Sequence, residues 1–202
     1  AANGMAGSSI PIAVLPGGTA NAFASEIGVP KNLQEAAELI FDSQVRAIDL
    51  GRANDGYFVL RADMGLSSRI TQDADRELKD KYGILAYAMA ALNAVTKAEP
   101  IRYRMVLDGQ TVETEGVACL VANVSDIGAF NMTLDKRVDP GDGLLDVFVA
   151  TSVGESLVSM AANMLNLQEG AASNFQRWQA REVTIQAEPP QPVYADGDEF
   201  SH

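Results

Sequence analysis

Histidine and cysteine are nearly missing from this sequence, and long apolar runs are absent. The only histidine is the last residue, His202, so catalysis or metal binding built on histidine is nearly excluded. The single cysteine, Cys119, cannot form a disulfide within the chain, and its apolar surroundings (GVACLVAN) predict a buried strand position. No apolar run reaches the roughly 20 residues that a membrane-spanning helix needs.

Basic residues are also scarce. The chain has 15 lysines and arginines against 27 aspartates and glutamates, a net charge of −12. This balance argues against nucleic acid as a partner and against a polybasic membrane anchor, since both need basic surface. The 202 residues are 47% hydrophobic, enough for a sizeable core. We expect a cytoplasmic protein whose membrane contact, if any, is weak and peripheral at the inner face.

The first 45 residues mix strand and helix patterns. IPIAVLP (residues 10–16) predicts a buried strand, and the helix-like AANGMAG before it suggests that the chain is cut from a longer protein. TANAFASEIG predicts a helix capped by Thr19 or Asn21 and ended by Gly28. NLQEAAELIF repeats apolar residues with helical spacing, and Asn32 can cap that helix.

Strand patterns dominate after residue 45. Two hairpins are predicted, one joining RAIDLGRA to YFVLRADMG through NDG and one around Asp108-Gly109. LLDVFVA and REVTIQAE predict further strands, and residues 84–97 and 154–166 predict helices. The polar residues 71–83 predict an exposed helix or a loop. The apolar helix 84–97 could pack in the core or line a cleft for an acyl chain. The whole pattern predicts an α+β chain of two unequal parts.

The first candidate site is LPGGTANAFA. Gly17 and Gly18 follow an apolar run, and Thr19 stands where a helix could begin. Backbone N–H groups in such a turn can bind a phosphate. A tight turn with a threonine cap explains the same residues, and both interpretations remain open.

The second candidate site is VDPGDGLLDV, residues 138–147. Asp139, Asp142 and Asp146 lie close to two glycines, and carboxylate and carbonyl oxygens are the ligands that Mg²⁺ or Ca²⁺ prefers. An ordinary turn before a strand is also rich in aspartate, proline and glycine. Residue chemistry alone therefore leaves a metal loop and a plain turn as alternatives.

The third candidate site is YADGDEF, where Asp196, Asp198 and Glu199 crowd one turn. Repulsion among them could raise the pKa of one carboxyl enough for base catalysis. The alternative is a type I′ turn with a solvated acidic tip. Asn123 follows an apolar strand, as either a cap or an amide facing a ligand.

Together these pieces resemble the bacterial lipid kinases related to diacylglycerol kinase and sphingosine kinase. The resemblance rests on LPGGTANAFASEIGVP, DLGRANDGYFVLRADMGLSSRI, VANVSDIGAF, VDPGDGLLDV and YADGDEF, in this order. It implies that residues 1–45 are the end of an α/β nucleotide-binding domain. Residues 46–202 would then form a mainly antiparallel, β-sandwich-like domain with flanking helices.

The resemblance also implies an activity, the transfer of the γ-phosphoryl group of ATP to a hydroxyl of diacylglycerol or a related lipid, with Mg²⁺. The implied ATP-binding residues are Gly17, Gly18, Thr19 and Asn21. Asp142 would bind Mg²⁺ through its carboxylate, and Asp139 and Leu144 through backbone oxygens, while Asp146 points to solvent. Asp198 matches the base that accepts the hydroxyl proton, and Glu199 could replace it if the turn shifts.

Two positions depart from the family pattern. Ala22 follows Asn21 where the family often has aspartate, and Asp198 stands where it has glutamate. These departures motivate an alternative, a non-catalytic regulatory domain that binds a cation or a lipid. The family's Gly-Gly-Asp-Gly-Thr nucleotide motif is not in the sequence, so we expect the 202 residues alone to be inactive. Exposed edge strands could pair in a homodimer.

Overall fold

The computed structural model describes residues 2–18, 21–42, 45–65, 99–126, 134–151 and 175–200. The chain divides into two compact units, and each takes two stretches of sequence. The first unit comprises Ala1–Arg61 and Ala122–Leu144, and the second comprises Ala62–Val121 and Leu145–His202. Several predictions lie outside the described residues: Thr19, the helix or loop at residues 71–83, and the helices at residues 84–97 and 154–166.

The first unit contains the helices α1 (Ala2–Met5), α2 (Ala22–Glu26) and α3 (Leu33–Asp42). The predicted cap of α3 is confirmed, because Asn32 Oδ1 accepts hydrogen bonds from the backbone N–H groups of Gln34 (2.8 Å) and Glu35 (3.2 Å). Gly28 ends the α2 region as predicted, with a left-handed φ of 76°.

The predicted strand over residues 10–16 is wrong. The described residues place no strand there, and Ile10, Ile12 and Leu15 are 67%, 56% and 48% exposed. An apolar run becomes a strand only when a neighbouring strand pairs with its backbone. The described part of the chain provides no such neighbour for this segment.

The hairpin predicted around NDG forms, but it is shorter than predicted. Strands β1 (Gly51–Ala53) and β2 (Gly56–Phe58) pair antiparallel around Asn54, whose φ is 49°. The chain then bends at residues 59–60, where the carbonyls of Val59 and Leu60 accept hydrogen bonds from Asn123. These bonds replace strand pairing, so the second predicted strand is divided in two.

The second unit is built mainly from antiparallel strands. One sheet of six strands has the order β11-β10-β3-β6-β7-β8, and a second sheet has the order β5-β4-β9. The strands are β3 (Arg61–Gly65), β4 (Ile101–Leu107), β5 (Gln110–Gly116), β6 (Ala118–Ala122), β7 (Leu145–Ala150), β8 (Phe175–Ala180), β9 (Val183–Glu188), β10 (Val193–Ala195) and β11 (Asp198–Glu199). This architecture confirms the predicted fold class.

The predicted hairpin at Asp108-Gly109 is confirmed. Both residues have positive φ (47° and 85°), as a type I′ turn requires, and β4 pairs with β5 along its whole length. The Asp108 carboxylate also accepts hydrogen bonds from the backbone N–H groups of Arg181 and Glu182, which lie in the turn between β8 and β9. One aspartate thus joins two turns of the same sheet region.

Three strands contribute most of the core of the second unit. Strand β4 alternates buried and exposed residues, whereas β6 and β7 are buried almost throughout. Cys119 is fully buried, as predicted. Burial raises the pKa of its thiol to about 12, with a smaller contribution from the nearby Asp63. The thiol is therefore neutral at physiological pH.

Strand β8 was not predicted. Its sequence, FQRWQA, has no regular alternation, yet it pairs with β7 from Leu145↔Ala180 to Ala150↔Phe175. Its position follows from the partner strand rather than from its own pattern. Such tertiary pairing commonly overrides local preference in strands.

Candidate functional site

The candidate site centres on residues 138–144, which we call the aspartate loop. Asp139 Oδ1 accepts hydrogen bonds from the Gly141 N–H (3.0 Å) and from Arg46 Nη2 (2.9 Å), and Asp142 Oδ1 accepts one from the Leu144 N–H (2.9 Å). Each aspartate thus folds the backbone two residues ahead of it, which is the local turn that this residue type favours. Both aspartates remain exposed.

Asp49 holds the aspartate loop from a distant part of the sequence. Its backbone N–H donates to the Pro140 carbonyl, and its Oδ2 accepts from the Gly143 N–H, both at 2.7 Å. Asp49 was not predicted as a site residue, because IDLG (residues 48–51) resembles an ordinary strand segment. Its contacts join positions 94 residues apart, and no local pattern reports such a contact.

Asn123 in turn holds Asp49. Its side chain is 1% exposed, and Nδ2 donates to the carbonyls of Asp49 and Val59, each at 2.9 Å. Because both partners are carbonyl oxygens, the amide nitrogen must face them. Asn123 Oδ1 is buried without a hydrogen-bond partner in the described part of the chain. The amide therefore serves a structural role in fixing two backbone segments.

The oxygens of the aspartate loop suit a hard cation. The predicted set combines the Asp142 carboxylate with the backbone oxygens of Asp139 and Leu144, and Mg²⁺ prefers oxygen ligands. Asp139 enters this set through its backbone oxygen, while its side chain pairs with Arg46, and the whole set stays a prediction. Among the described residues, no group of three or more acidic, histidine or cysteine side chains is placed to hold a metal. The predicted set, with its single carboxylate, is not a cluster of that kind.

Asp146 was predicted to point to solvent, and this is wrong. It is 1% exposed on β7, and its Oδ1 lies 2.6 Å from both Nε and Nη2 of Arg177 on β8. The register pairs Arg177 with Phe148, so Arg177 is the diagonal neighbour of Asp146. The central position of β7 buries the carboxylate, and the arginine compensates its charge.

The glycine turn before α2 is closed by Asn21. The Gly18 N–H donates to Asn21 Oδ1, and Asn21 Nδ2 donates to the Gly18 carbonyl, both at 2.7 Å. Asn21 occupies the N-cap position of α2, one of the two positions predicted, with a left-handed φ of 51°, but its side chain makes no cap bond to the helix. Its amide is occupied by the turn instead. The role of Gly17, Gly18, Thr19 and Asn21 in binding ATP stays a prediction.

Glu26, at the end of α2, is a second residue whose role was not predicted. Its Oε2 accepts hydrogen bonds from Ser125 Oγ and from the Asp126 N–H, both at 2.8 Å. Ser125 and Asp126 are buried. The contact fixes the helix after the glycine turn to the segment that follows Asn123. A carboxylate thus lies one helical turn after Ala22, on the same helix face.

Asp198 and Glu199 form β11 in the second unit. The turn before them has positive φ at Asp196 (50°) and Gly197 (93°), the type I′ geometry proposed for YADGDEF. Both β11 residues are exposed and pair with β10 at Ala195 and Tyr194. The structure thus gathers the predicted metal ligands in the first unit and the predicted base residues on one strand of the second. The catalytic roles of Asp198 and Glu199 stay predictions.

Two protein families match this chain. The family described as "YegS C-terminal NAD kinase beta sandwich-like domain" matches residues 61–202, and the "Diacylglycerol kinase catalytic domain" matches residues 1–53. The chain belongs to the YegS-like and diacylglycerol kinase-like lipid kinase family. The resemblance inferred from the sequence is therefore confirmed.

Individual members of this lipid kinase family agree with the assignment. A diacylglycerol kinase of Mycobacterium tuberculosis is 30% identical over 96% of this chain and 64% of its own length. The diacylglycerol kinase of Bacillus subtilis is 29% identical over 68% of this chain and 46% of its own length. The chain thus spans about half to two thirds of the length of these relatives.

A solved structure confirms the fold of this family member. A crystal structure from Bacillus anthracis, assigned to the diacylglycerol kinases, is 30% identical with a TM-score of 0.76. The match covers 98% of this chain and 66% of that one. Within the described residues, no helix has the length and apolar content to cross a membrane.

Proposed function

We propose that this chain is part of a lipid kinase that transfers the γ-phosphoryl group of ATP to a hydroxyl of diacylglycerol or a related lipid. The observation that carries the proposal is the succession of two kinase family matches along one chain, at residues 1–53 and 61–202. The oxygen-rich aspartate loop, held in place by Asp49, supports it independently.

In the proposed reaction, the lipid hydroxyl oxygen forms a bond to the γ-phosphorus while the bond to the bridging oxygen of ADP breaks. The hydroxyl proton passes to a carboxylate, for which we propose Asp198, with Glu199 as the neighbouring alternative. Both are exposed on β11 and therefore accessible to a substrate. Gly17, Gly18, Thr19 and Asn21 are proposed to lie close to the ATP phosphates.

We propose that Mg²⁺ is held at the aspartate loop by the Asp142 carboxylate and by the backbone oxygens of Asp139 and Leu144. A bound Mg²⁺ would supply positive charge that favours phosphate oxygens nearby. The residues of the chain orient the loop, since Asp142 fixes the Leu144 amide and Asp49 fixes the Gly143 amide. Arg46 balances the charge of the Asp139 side chain.

We propose that the enzyme works in the cytoplasm and contacts the membrane only peripherally, where its lipid substrate resides. The net charge of −12 supports a limited contact, because anionic lipid surfaces repel acidic protein surface. The same charge supports the absence of a nucleic-acid partner. A homodimer through edge strands stays a proposal.

The test is a phosphoryl-transfer assay with γ-labelled ATP, Mg²⁺ and diacylglycerol in mixed micelles. It compares the 202-residue chain, the full-length product of its gene, and that product carrying Asp198→Ala. We expect transfer by the full-length product and a loss of about 100-fold or more with Asp198→Ala, typical of a missing general base. The 202-residue chain should be inactive.

The controls separate the kinase from the regulatory alternative. Asp198→Glu restores the residue type that the family pattern favours and should retain activity, and circular dichroism should show that each variant folds. Undiminished transfer by Asp198→Ala would remove the base role. A full-length product that binds ATP yet phosphorylates no lipid would instead favour a regulatory domain that binds a cation or a lipid.

A further inference from the structure

The carboxylates of Asp139 and Asp142 have different partners within the aspartate loop. Asp139 Oδ1 lies 2.9 Å from Arg46 Nη2, and it also accepts a hydrogen bond from the Gly141 N–H at 3.0 Å. Asp142 Oδ1 accepts its hydrogen bond from a neutral donor, the Leu144 N–H, at 2.9 Å. The loop thus carries one carboxylate whose charge is compensated by a side chain and one that is bonded to a backbone amide.

Gly141 gives Arg46 room to lie against the loop. A Cβ added to Gly141 would lie 3.3 Å from Arg46 Nη2 and 3.5 Å from Asp139 Oδ1, so a larger residue there would crowd the ion pair. The guanidinium therefore meets the backbone of the loop as well as the tip of a side chain. Arg46 and Asp139 are 93 residues apart, and the fold brings them together.

The number of carboxylate ligands affects how an oxygen site treats Mg²⁺ and Ca²⁺. Mg²⁺ keeps several waters and needs about one or two carboxylates, whereas Ca²⁺ takes about six to eight oxygens, and its affinity depends on the charge of its ligands. In the proposed set, Asp142 contributes a carboxylate and Asp139 only a backbone oxygen. Asp139 thus carries a further carboxylate at the same loop, and Arg46 pairs with it.

We propose that Arg46 is a specificity-determining residue of the cation site, because it withholds the Asp139 carboxylate from the cation. The inference rests on the cation site of the proposed function and explains why that site favours Mg²⁺ over Ca²⁺. The ion pair is exposed, with 66% of the Arg46 side chain and 55% of the Asp139 side chain accessible, so its effect is moderate. Loss of Arg46 should therefore strengthen cation binding, which damage to the fold would not do.

Three variants test this inference, each made as the 202-residue chain and compared with the parent. Arg46→Gln frees the Asp139 carboxylate. The double variant Arg46→Gln/Asp139→Asn removes that carboxylate again, restores the net charge of the parent and keeps an oxygen for the Gly141 N–H. Arg52→Gln is the matched control, because Arg52 is an exposed arginine of β1 whose side chain donates to the Asn54 carbonyl.

The first measurement is the affinity for Ca²⁺ and for Mg²⁺, obtained by displacement of Mn²⁺ and followed by electron paramagnetic resonance. We expect Arg46→Gln to bind Ca²⁺ about fivefold more tightly, the upper range for release from an exposed ion pair. Its affinity for Mg²⁺ should rise less than about twofold. At physiological ionic strength, which screens exposed charges, the double variant and Arg52→Gln should stay within about twofold of the parent.

Three results would overturn the inference. An equal gain for both cations would show that Arg46 acts through its charge alone. No gain in Arg46→Gln would show that the ion pair withholds nothing. A parent chain that binds no Mn²⁺ would remove the site on which the inference rests.

The second measurement counts the water molecules on bound Tb³⁺, a luminescent substitute for Ca²⁺, from its lifetimes in H₂O and D₂O. A carboxylate that joins the cation displaces water, so Arg46→Gln should hold about one water fewer than the parent. The double variant should regain that water. Equal counts in all the proteins would contradict the inference, because they would mean that the Asp139 carboxylate never reaches the cation.

The kinase proposal and this inference can fail separately. A full-length product that phosphorylates no lipid, while the cation results hold, refutes the kinase proposal and leaves the role of Arg46 intact. Lipid phosphorylation by the full-length product, together with an unchanged Ca²⁺ affinity in Arg46→Gln, refutes the role of Arg46 and leaves the kinase proposal intact.

Discussion

Asp142 and Asp146 lie four residues apart in the same acidic stretch, yet they belong to different units and have opposite surroundings. Asp142 is exposed in the aspartate loop, and its carboxylate accepts a local hydrogen bond from the Leu144 N–H. Asp146 is buried in a central strand and pairs with Arg177. A cluster of aspartates in sequence is therefore not one site, because burial separates an exposed loop residue from a buried structural one.

The largest loss of stability is expected when the buried carboxylate of Asp146 is removed. Asp146→Ala leaves the Arg177 guanidinium, itself only 17% exposed, without its counter-charge. We expect the free energy of unfolding to fall by about 3 kcal/mol or more. Urea denaturation measures it. Replacing both partners by Asp146→Leu and Arg177→Met should recover much of the loss, and a double variant as unstable as Asp146→Ala would contradict the ion-pair explanation.

The second largest loss of stability is expected when Asn123 is replaced. Asn123→Ala removes two hydrogen bonds and leaves the carbonyls of Asp49 and Val59 without their donor. We expect a loss of about 2–3 kcal/mol, the range for unsatisfied buried acceptors. Thermal unfolding gives the value. An unchanged midpoint would show that water replaces the amide, and would weaken its assignment as the support of the loop.

A smaller effect is expected on how the stability of the second unit, which contains Cys119, depends on pH. Burial raises the pKa of the Cys119 thiol to about 12, above its ordinary value of 9.0. Above pH 9 the unfolded thiol ionises while the folded one does not, so stability falls as pH rises from about 9 to 12. Cys119→Ala should flatten this dependence by about 1 kcal/mol per pH unit. Parallel stability curves for variant and parent would contradict it.

The smallest effect on stability is expected at the exposed aspartate. Asp142→Ala should change the free energy of unfolding by less than about 1 kcal/mol, because the side-chain hydrogen bond to the Leu144 N–H is local and exposed. The same variant should lose most of its Mg²⁺ binding in a calorimetric titration. If Mg²⁺ binding were identical in variant and parent, or if stability fell as far as with Asp146→Ala, the division between the two aspartates would fail.

Some parts of this protein were predictable because they depend on neighbours in sequence. Asn32 caps α3 and Asp108-Gly109 turns the long hairpin for local reasons, within a few residues. Cys119 was correctly predicted to be buried because its whole stretch is apolar. Other features could not be predicted. Residues 10–16 have a strand pattern but no paired neighbour among the described residues, and β8 has a neighbour but no strand pattern.

The sequence by itself determined the family, the fold class, the turns and the position of the aspartate loop, because these depend on residue types at fixed spacings. Only the tertiary structure decided what each polar residue does. Asp49 reaches a loop 94 residues away, Asn123 fixes Asp49, and Asp146 is buried beside Arg177. The physical reason is that a polar side chain acquires its role from burial and from partners, and both are set by parts of the chain remote in sequence.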